Sequence, residues 1–198
     1  MACASEAALC YLLAMTIHIA LLRAVNVGGR KLVMAELKGM FESLGFTSVR
    51  TILQSGNVVF GGGTRSGRAL ESHLEAETEK KLKLRTDYFV RTAEEWNALV
   101  HANPFERQAK EDPSHLLVLP LKSAPAAADL AALQAASQGR EIVRAAGREL
   151  YIYYPDGIGE SKLTVDLIDR KLKTRSTGRN WNTVLKIQAT ADPQEHTA

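Results

Sequence analysis

The order of hydrophobic patterns along this chain runs through twice, and that repetition constrains the fold more than any single motif does. Residues 17–23 (IHIALLR) are apolar on both faces, as a doubly covered strand is. Met34, Leu37, Met40, Phe41 and Leu44 then recur at helical spacing, with Gly45 as the stop. Residues 49–54 and 58–60 flank Ser55-Gly56-Asn57 as a hairpin. Leu70, Leu74, Thr78 and Leu82 recur on a second helix, whose remaining Glu- and Lys-rich face reads as solvated. Residues 88–91 form a short strand, and Thr92 with Glu95 makes a capping box for a helix carrying Trp96, Leu99 and Val100.

The second pass begins at residues 115–121, a strand. An Ala-rich helix over 125–138 is ended by Gly139, and 141–145 and 150–154 form a hairpin around Gly147. Ser161 reads as the N-cap of a helix through Leu172, and a last helix runs from Arg179 to Gln188 with Trp181, Val184, Leu185 and Gln188 on one stripe. Strand, helix, hairpin, helix, taken twice, predicts an α+β fold: two tandem ferredoxin-like (split βαβ) halves with antiparallel sheets. The halves are expected at 15–103 and 115–190, joined by a polar linker at 104–114 that holds Pro104 and Pro113. Residues 191–198 read as a frayed tail.

Residues 1–14 read as an extension outside the fold, with Met15 as the start of the folded body. Ala7 to Ala14 is mostly apolar, but no Lys or Arg precedes it and Glu6 interrupts it, unlike an export signal. The run is also far short of the roughly 20 residues a membrane span needs. Cys3 and Cys10 are the only cysteines, so the folded body has no disulfide framework, Cys-ligated zinc or thiol nucleophile. That usage fits a cytoplasmic protein. A formal net charge of +3 over 198 residues is too small for a dedicated nucleic-acid or membrane binder.

The standard chemical signatures are missing. There is no G-x-x-x-x-G-K-[ST], no G-x-G-x-x-G after a strand and no G-x-S-x-G. His18, His73, His101, His115 and His196 form no H-x-x-x-H pair, and His18 and His115 read as structural imidazoles in strands. No cofactor and no metal is expected.

Four stretches carry more glycines and donors than turns require. Arg23, Asn26, Gly28, Gly29 and Lys31 leave a central strand for a helix, where successive backbone N–H groups can cradle an anion. Ser55, Gly56 and Asn57 form the hairpin connection, and good turn chemistry alone also explains them. Ser161 and Lys162 open a predicted helix after a Pro-Asp-Gly turn, and Arg179 and Asn180 open the last one. A cation in a first helical turn opposes the macrodipole, a misfit that an anionic ligand would relieve.

Three functions remain open on these residues. One is a binding module for a phosphate-bearing or otherwise anionic small molecule, with a nucleic-acid backbone as the less supported partner. The second is an enzyme on an anionic metabolite, with Tyr154, Asp156, Glu160 and Lys162 as acid/base groups and Arg23 and Arg179 stabilising charge. The third is a protein-interaction module in which the same residues only shape turns. Oligomeric state is not readable from the chain.

The same stretches, LLRAVNVGG (21–29), QSGN (54–57), NPF (103–105), GRELYIYYPDGIGESKL (147–163) and GRNWNTV (178–184), stand in the order seen in the bacterial DUF1697 family, which the chain resembles from about Met15 to Gln188. The resemblance implies two ferredoxin-like halves and no assigned activity. Departures are few. Ala24-Val25 replaces a Gly-Ile pair, Glu160 adds a negative charge beside Lys162, and Gly178 replaces an alanine.

Overall fold

The computed structural model of the protein describes residues 16–25 and 32–192. The first half contains β1 (Ile17–Leu22), α1 (Met34–Ser43), β2 (Thr47–Ile52), β3 (Asn57–Gly61), α2 (Gly67–Leu82), β4 (Tyr88–Thr92) and α3 (Ala93–His101). A short helix, α4 (Glu106–Glu111), lies within the expected linker. The second half repeats the series with β5 (Leu116–Pro120), α5 (Ala127–Ala136), β6 (Ile142–Ala146), β7 (Glu149–Tyr153), α6 (Val165–Leu172), β8 (Arg179–Asn180) and α7 (Trp181–Ala191). The strand orders are β2-β3-β1-β4 and β6-β7-β5-β8, antiparallel throughout. The expected α+β architecture of two similar halves is therefore observed. The proposed extension at 1–14 lies outside the described residues, as does the tail beyond Asp192.

Alternation along the central strands explains how the layers stack. Ala20 and Leu22 of β1 face α1 and α2, with Phe41, Phe60, Leu70 and Leu74 in the same core. Leu117 and Leu119 of β5 face α5 and α6, with Leu133, Ile168 and Leu172. The other face of each strand, Ile19 and Leu21 in β1 and Leu116 and Val118 in β5, meets a third core that both halves share. Trp96 and Leu99 of α3 and Trp181, Val184 and Ile187 of α7 fill it. Each such side chain stabilises the fold by about 1.5–3 kcal/mol through burial, so the joint between the halves is a hydrophobic core in its own right. Phe105, in the linker, is buried there too.

Polar ties reinforce this core. The Trp96 indole N–H donates to the Val184 carbonyl at 3.2 Å, and the Tyr151 hydroxyl to the Leu99 carbonyl at 2.7 Å. The expected capping box is present: the Thr92 hydroxyl accepts from the Glu95 N–H while the Glu95 carboxylate accepts from the Thr92 N–H.

Several local expectations are corrected. Strand β8 is only two residues long and too brief for a periodic signal, so its residues read as helix. The helix after the Pro-Asp-Gly turn is capped by Thr164, whose hydroxyl accepts from the Leu167 N–H. Ser161 instead follows a single 3-10 turn, Ile158–Glu160, and Lys162 is in no helical first turn. The final helix is capped by Asn180 and begins at Trp181, so Arg179 is a strand residue. On that helix Leu185 is 41 % exposed, and Ile187 takes its place in the core. On α2, Glu71 is 1 % exposed rather than solvated, because its carboxylate accepts from the Val90 N–H and the Lys122 ammonium.

Candidate functional site

Where the two halves meet, a groove of about 420 Å³ is lined by Arg23, Ala24, Val25 and Ser55 of the first half and by Thr164, Thr177 and Arg179 of the second, among others. Arg179 dominates it. Its side chain extends from β8 into the first half and is buried, with 8 % of the residue exposed. Nε donates to Asn57 Oδ1 at 2.5 Å. Nη1 donates to Thr177 Oγ1 at 3.0 Å and the Gly178 carbonyl at 2.8 Å, and Nη2 to the Leu22 and Ser55 carbonyls, both at 3.0 Å. All five guanidinium donors are thus held by neutral acceptors. No carboxylate lies within ion-pair distance of it among the described residues. Burial without a counter-ion disfavours the charged form and pushes its pKa down to about 10.

The QSGN turn is shaped to receive this arginine. Asn57 is fully buried, and its amide nitrogen donates to the Ile52 carbonyl and the Ser55 hydroxyl, both at 2.9 Å. That orientation leaves Oδ1 for Arg179. Gly56 has φ +69°, and a Cβ there would stand 2.5 Å from Val25 Cγ2 and 2.9 Å from Leu22 Cβ. Only glycine lets the turn lie this close to β1, where the Gly56 carbonyl accepts from the Leu22 N–H at 2.8 Å.

Arg23 stands at the mouth of the groove and is held by acids from both halves. Its Nη2 is 3.1 Å from both Asp166 and Asp169, and Nη1 is 3.9 Å from Asp87. Arg175 joins the same network, 2.7 Å from Asp87. Burial raises the Asp169 carboxyl above its ordinary pKa, while the Ser176 hydroxyl and Arg23 pull the other way.

The structure therefore brings together Arg23, Ser55, Gly56, Asn57 and Arg179. Asn180 sits beside them, but its side chain caps α7, accepting from the Thr183 N–H and hydroxyl. Asn26, Gly28, Gly29 and Lys31 lie outside the described residues. Ser161 and Lys162 line a different hollow of about 240 Å³ with Glu141, Tyr154, Asp156 and Glu160. There Ser161 donates to Glu141, and that bond holds the Glu141 carboxyl below its ordinary pKa. Asp156 is paired with Arg140, and the Tyr154 hydroxyl donates to the Leu163 carbonyl.

Thr164 and Thr177 line the groove without having been singled out from sequence. Thr164 carries a local signal, since an N-cap threonine marks a helix start. Thr177 is placed by tertiary contacts. As for the histidines, His18 is 2 % exposed and stacks on Phe60 with ring centroids 5.4 Å apart, and burial lowers its pKa. His115 faces Asp112 through Nδ1 at 2.8 Å. Among the described residues no three His, Cys, Asp or Glu side chains gather as metal ligands. No helix among them is long and apolar enough to cross a membrane.

The sequence model of the family described as "Protein of unknown function (DUF1697)" matches residues 15–151. No curated protein matches the chain. Among solved structures, the chain is similar to the conserved bacterial protein SP0830 from Streptococcus pneumoniae, at 22 % identity and a TM-score of 0.69. That likeness covers 90 % of this chain and 100 % of the other, and it shows a shared fold.

Proposed function

The chain belongs to the DUF1697 family, and from that premise we propose that the groove between its halves binds a phosphate-bearing or otherwise anionic small molecule. The observation that supports this is Arg179, a buried guanidinium on the groove wall with no carboxylate paired to it among the described residues. Its hydrogen bonds are complete, so it acts on a ligand through charge. At an effective dielectric of 20, two unit charges about 8 Å apart attract by about 2 kcal/mol. The hydroxyls of Ser55, Thr164 and Thr177 supply polar atoms along the walls. The Arg23–Asp166 pair at the mouth is one a ligand can displace, because the Asp166 side chain is 86 % exposed and such pairs contribute little. A small metabolite of this kind suits a cytoplasmic protein, with which the confinement of cysteine to Cys3 and Cys10 agrees.

One observation favours a competing, architectural reading: every donor of Arg179 is taken by the protein. An enzyme reading has less support, since Tyr154 and Asp156 are engaged with Leu163 and Arg140 and lie at the other hollow. Thermal unfolding at fixed ionic strength, against inorganic phosphate, pyrophosphate and nucleoside mono- to triphosphates, separates them. A saturable rise in melting temperature is expected, reaching about 2.7 kcal/mol of stabilisation at a hundredfold excess over Kd. A flat response across the whole panel refutes the binding reading and leaves the architectural one.

A further inference from the structure

The two halves exchange equivalent contacts, as the subunits of a twofold dimer do. Arg91 of β4 lies opposite Ile19 in the sheet, and Arg179 of β8 lies opposite Val118. Each immediately precedes the residue that caps the following helix, Thr92 or Asn180. Each guanidinium bonds the carbonyl of its own preceding residue through Nη1, Val90 or Gly178. Each also reaches into the opposite half. Arg91 Nη2 donates to the Leu121 carbonyl at 3.1 Å, and Arg179 Nη2 to the Leu22 carbonyl at 3.0 Å.

Strand register fixes the equivalence independently. Leu21 pairs with Asn57 and Pro120 pairs with Glu149, the first residues of β3 and β7. Just beyond, the Leu22 N–H bonds the Gly56 carbonyl and the Leu121 N–H bonds the Arg148 carbonyl. The correspondence extends outward. Arg23, after β1, is paired with Asp166 and Asp169 on α6, and Lys122, after β5, with Glu71 and Glu75 on α2.

At the centre the equivalence breaks. Arg91 Nε donates to Glu149 Oε1 at 2.7 Å, a buried ion pair. Arg179 Nε donates to the amide oxygen of Asn57 in the matching place. Among the described residues, one clasp holds its own counter-charge and the other does not. Because the two share register, the carbonyl of the preceding residue and one carbonyl of the opposite half, the Arg91 clasp is a control within the same molecule.

We propose that Asn57 determines the groove's preference for anions: by standing where the other half carries the Glu149 carboxylate, it leaves the charge of Arg179 to be balanced by a bound ligand. This rests on the binding reading above. A neutral residue at position 57 selects for negative charge in the groove, and an acidic one supplies that charge itself and repels the ligand.

The test uses the full chain at pH 8 and constant ionic strength, with inorganic phosphate as the probe. Asn57→Asp is expected to weaken phosphate binding at least tenfold. Asn57 is fully buried, so Ser55→Asp serves as the second variant. It places a carboxylate on the groove wall at a half-buried position and is expected to weaken binding to the same extent. Arg179→Lys, which keeps the charge and loses the fork, is expected to bind within threefold of wild type. Glu149→Gln, in the other clasp, leaves phosphate affinity unchanged. If wild type binds phosphate and both aspartate variants bind it equally well, the role of Asn57 is refuted and the binding reading survives. If wild type shows no phosphate binding and no response to the wider panel, both fall.

Discussion

The indole of Trp96 in one half donates to the carbonyl of Val184 in the other, 88 positions later in the chain. The bond lies inside a core that neither half completes alone. The protein is therefore expected to unfold in a single transition, with tryptophan fluorescence and far-ultraviolet dichroism changing together in urea. Trp96→Ala should lower stability by about 3–5 kcal/mol, the cost of losing a large core aromatic. Two separate transitions would contradict the shared core.

Gly56 carries a positive φ and faces Val25 and Leu22 at distances no Cβ tolerates. Gly56→Ala combines a left-handed backbone penalty of about 1–2 kcal/mol with overpacking of about 1–3 kcal/mol. A loss of about 2–5 kcal/mol is expected in urea denaturation. A loss under 0.5 kcal/mol would show that the turn can move away from β1.

Glu149 gives the fold a pH dependence of defined sign. Burial pushes its carboxyl up to about 7, against the pull of Arg91, and its Oε2 lacks a hydrogen-bond partner among the described residues. A raised carboxyl pKa means that the folded state binds the proton more tightly than the unfolded chain. Its contribution is full below about pH 4.5 and is lost as pH rises through 7. Glu149→Gln removes this dependence. The stability of the variant relative to wild type should thus increase by about 3 kcal/mol between pH 4.5 and pH 8. Urea midpoints at both pH values test it, and a constant difference would contradict it.

Lys162 separates the two hollows experimentally. It lines the smaller one with Ser161 and has no place in the groove between the halves. Lys162→Ala is expected to change stability by less than about 0.5 kcal/mol, as surface substitutions do. It should also leave any phosphate response intact. Loss of that response would move the candidate site to the Ser161 hollow.

Much of the fold was legible because apolar runs and turn residues are local signals. Residues 17–22 announce a strand by composition, and Thr92 with Glu95 announces a helix start by spacing. What sequence misplaced was set by distance. Arg179 reads as the opening residue of the last helix because nothing near it shows that its partners are Leu22, Ser55 and Asn57, more than 120 residues away. Glu71 reads as solvated for the same reason, its partner Lys122 lying in the other half. Ser161 and Thr164 are both capping residue types, and the choice of Thr164 depends on packing further along the helix. Glycine turns were the most informative clue to the site, since Gly56 marks the close approach on which the Arg179 clasp depends.

The shared core makes the peptide link between the halves dispensable once the molecule is assembled. Both faces of both sheets are covered whether or not the chain is continuous at the exposed Lys110 of α4. A protease that nicks this connection leaves two fragments still gripped by apolar packing and by a reciprocal pair of arginines. They would travel as one particle through a sizing column and part only in denaturant.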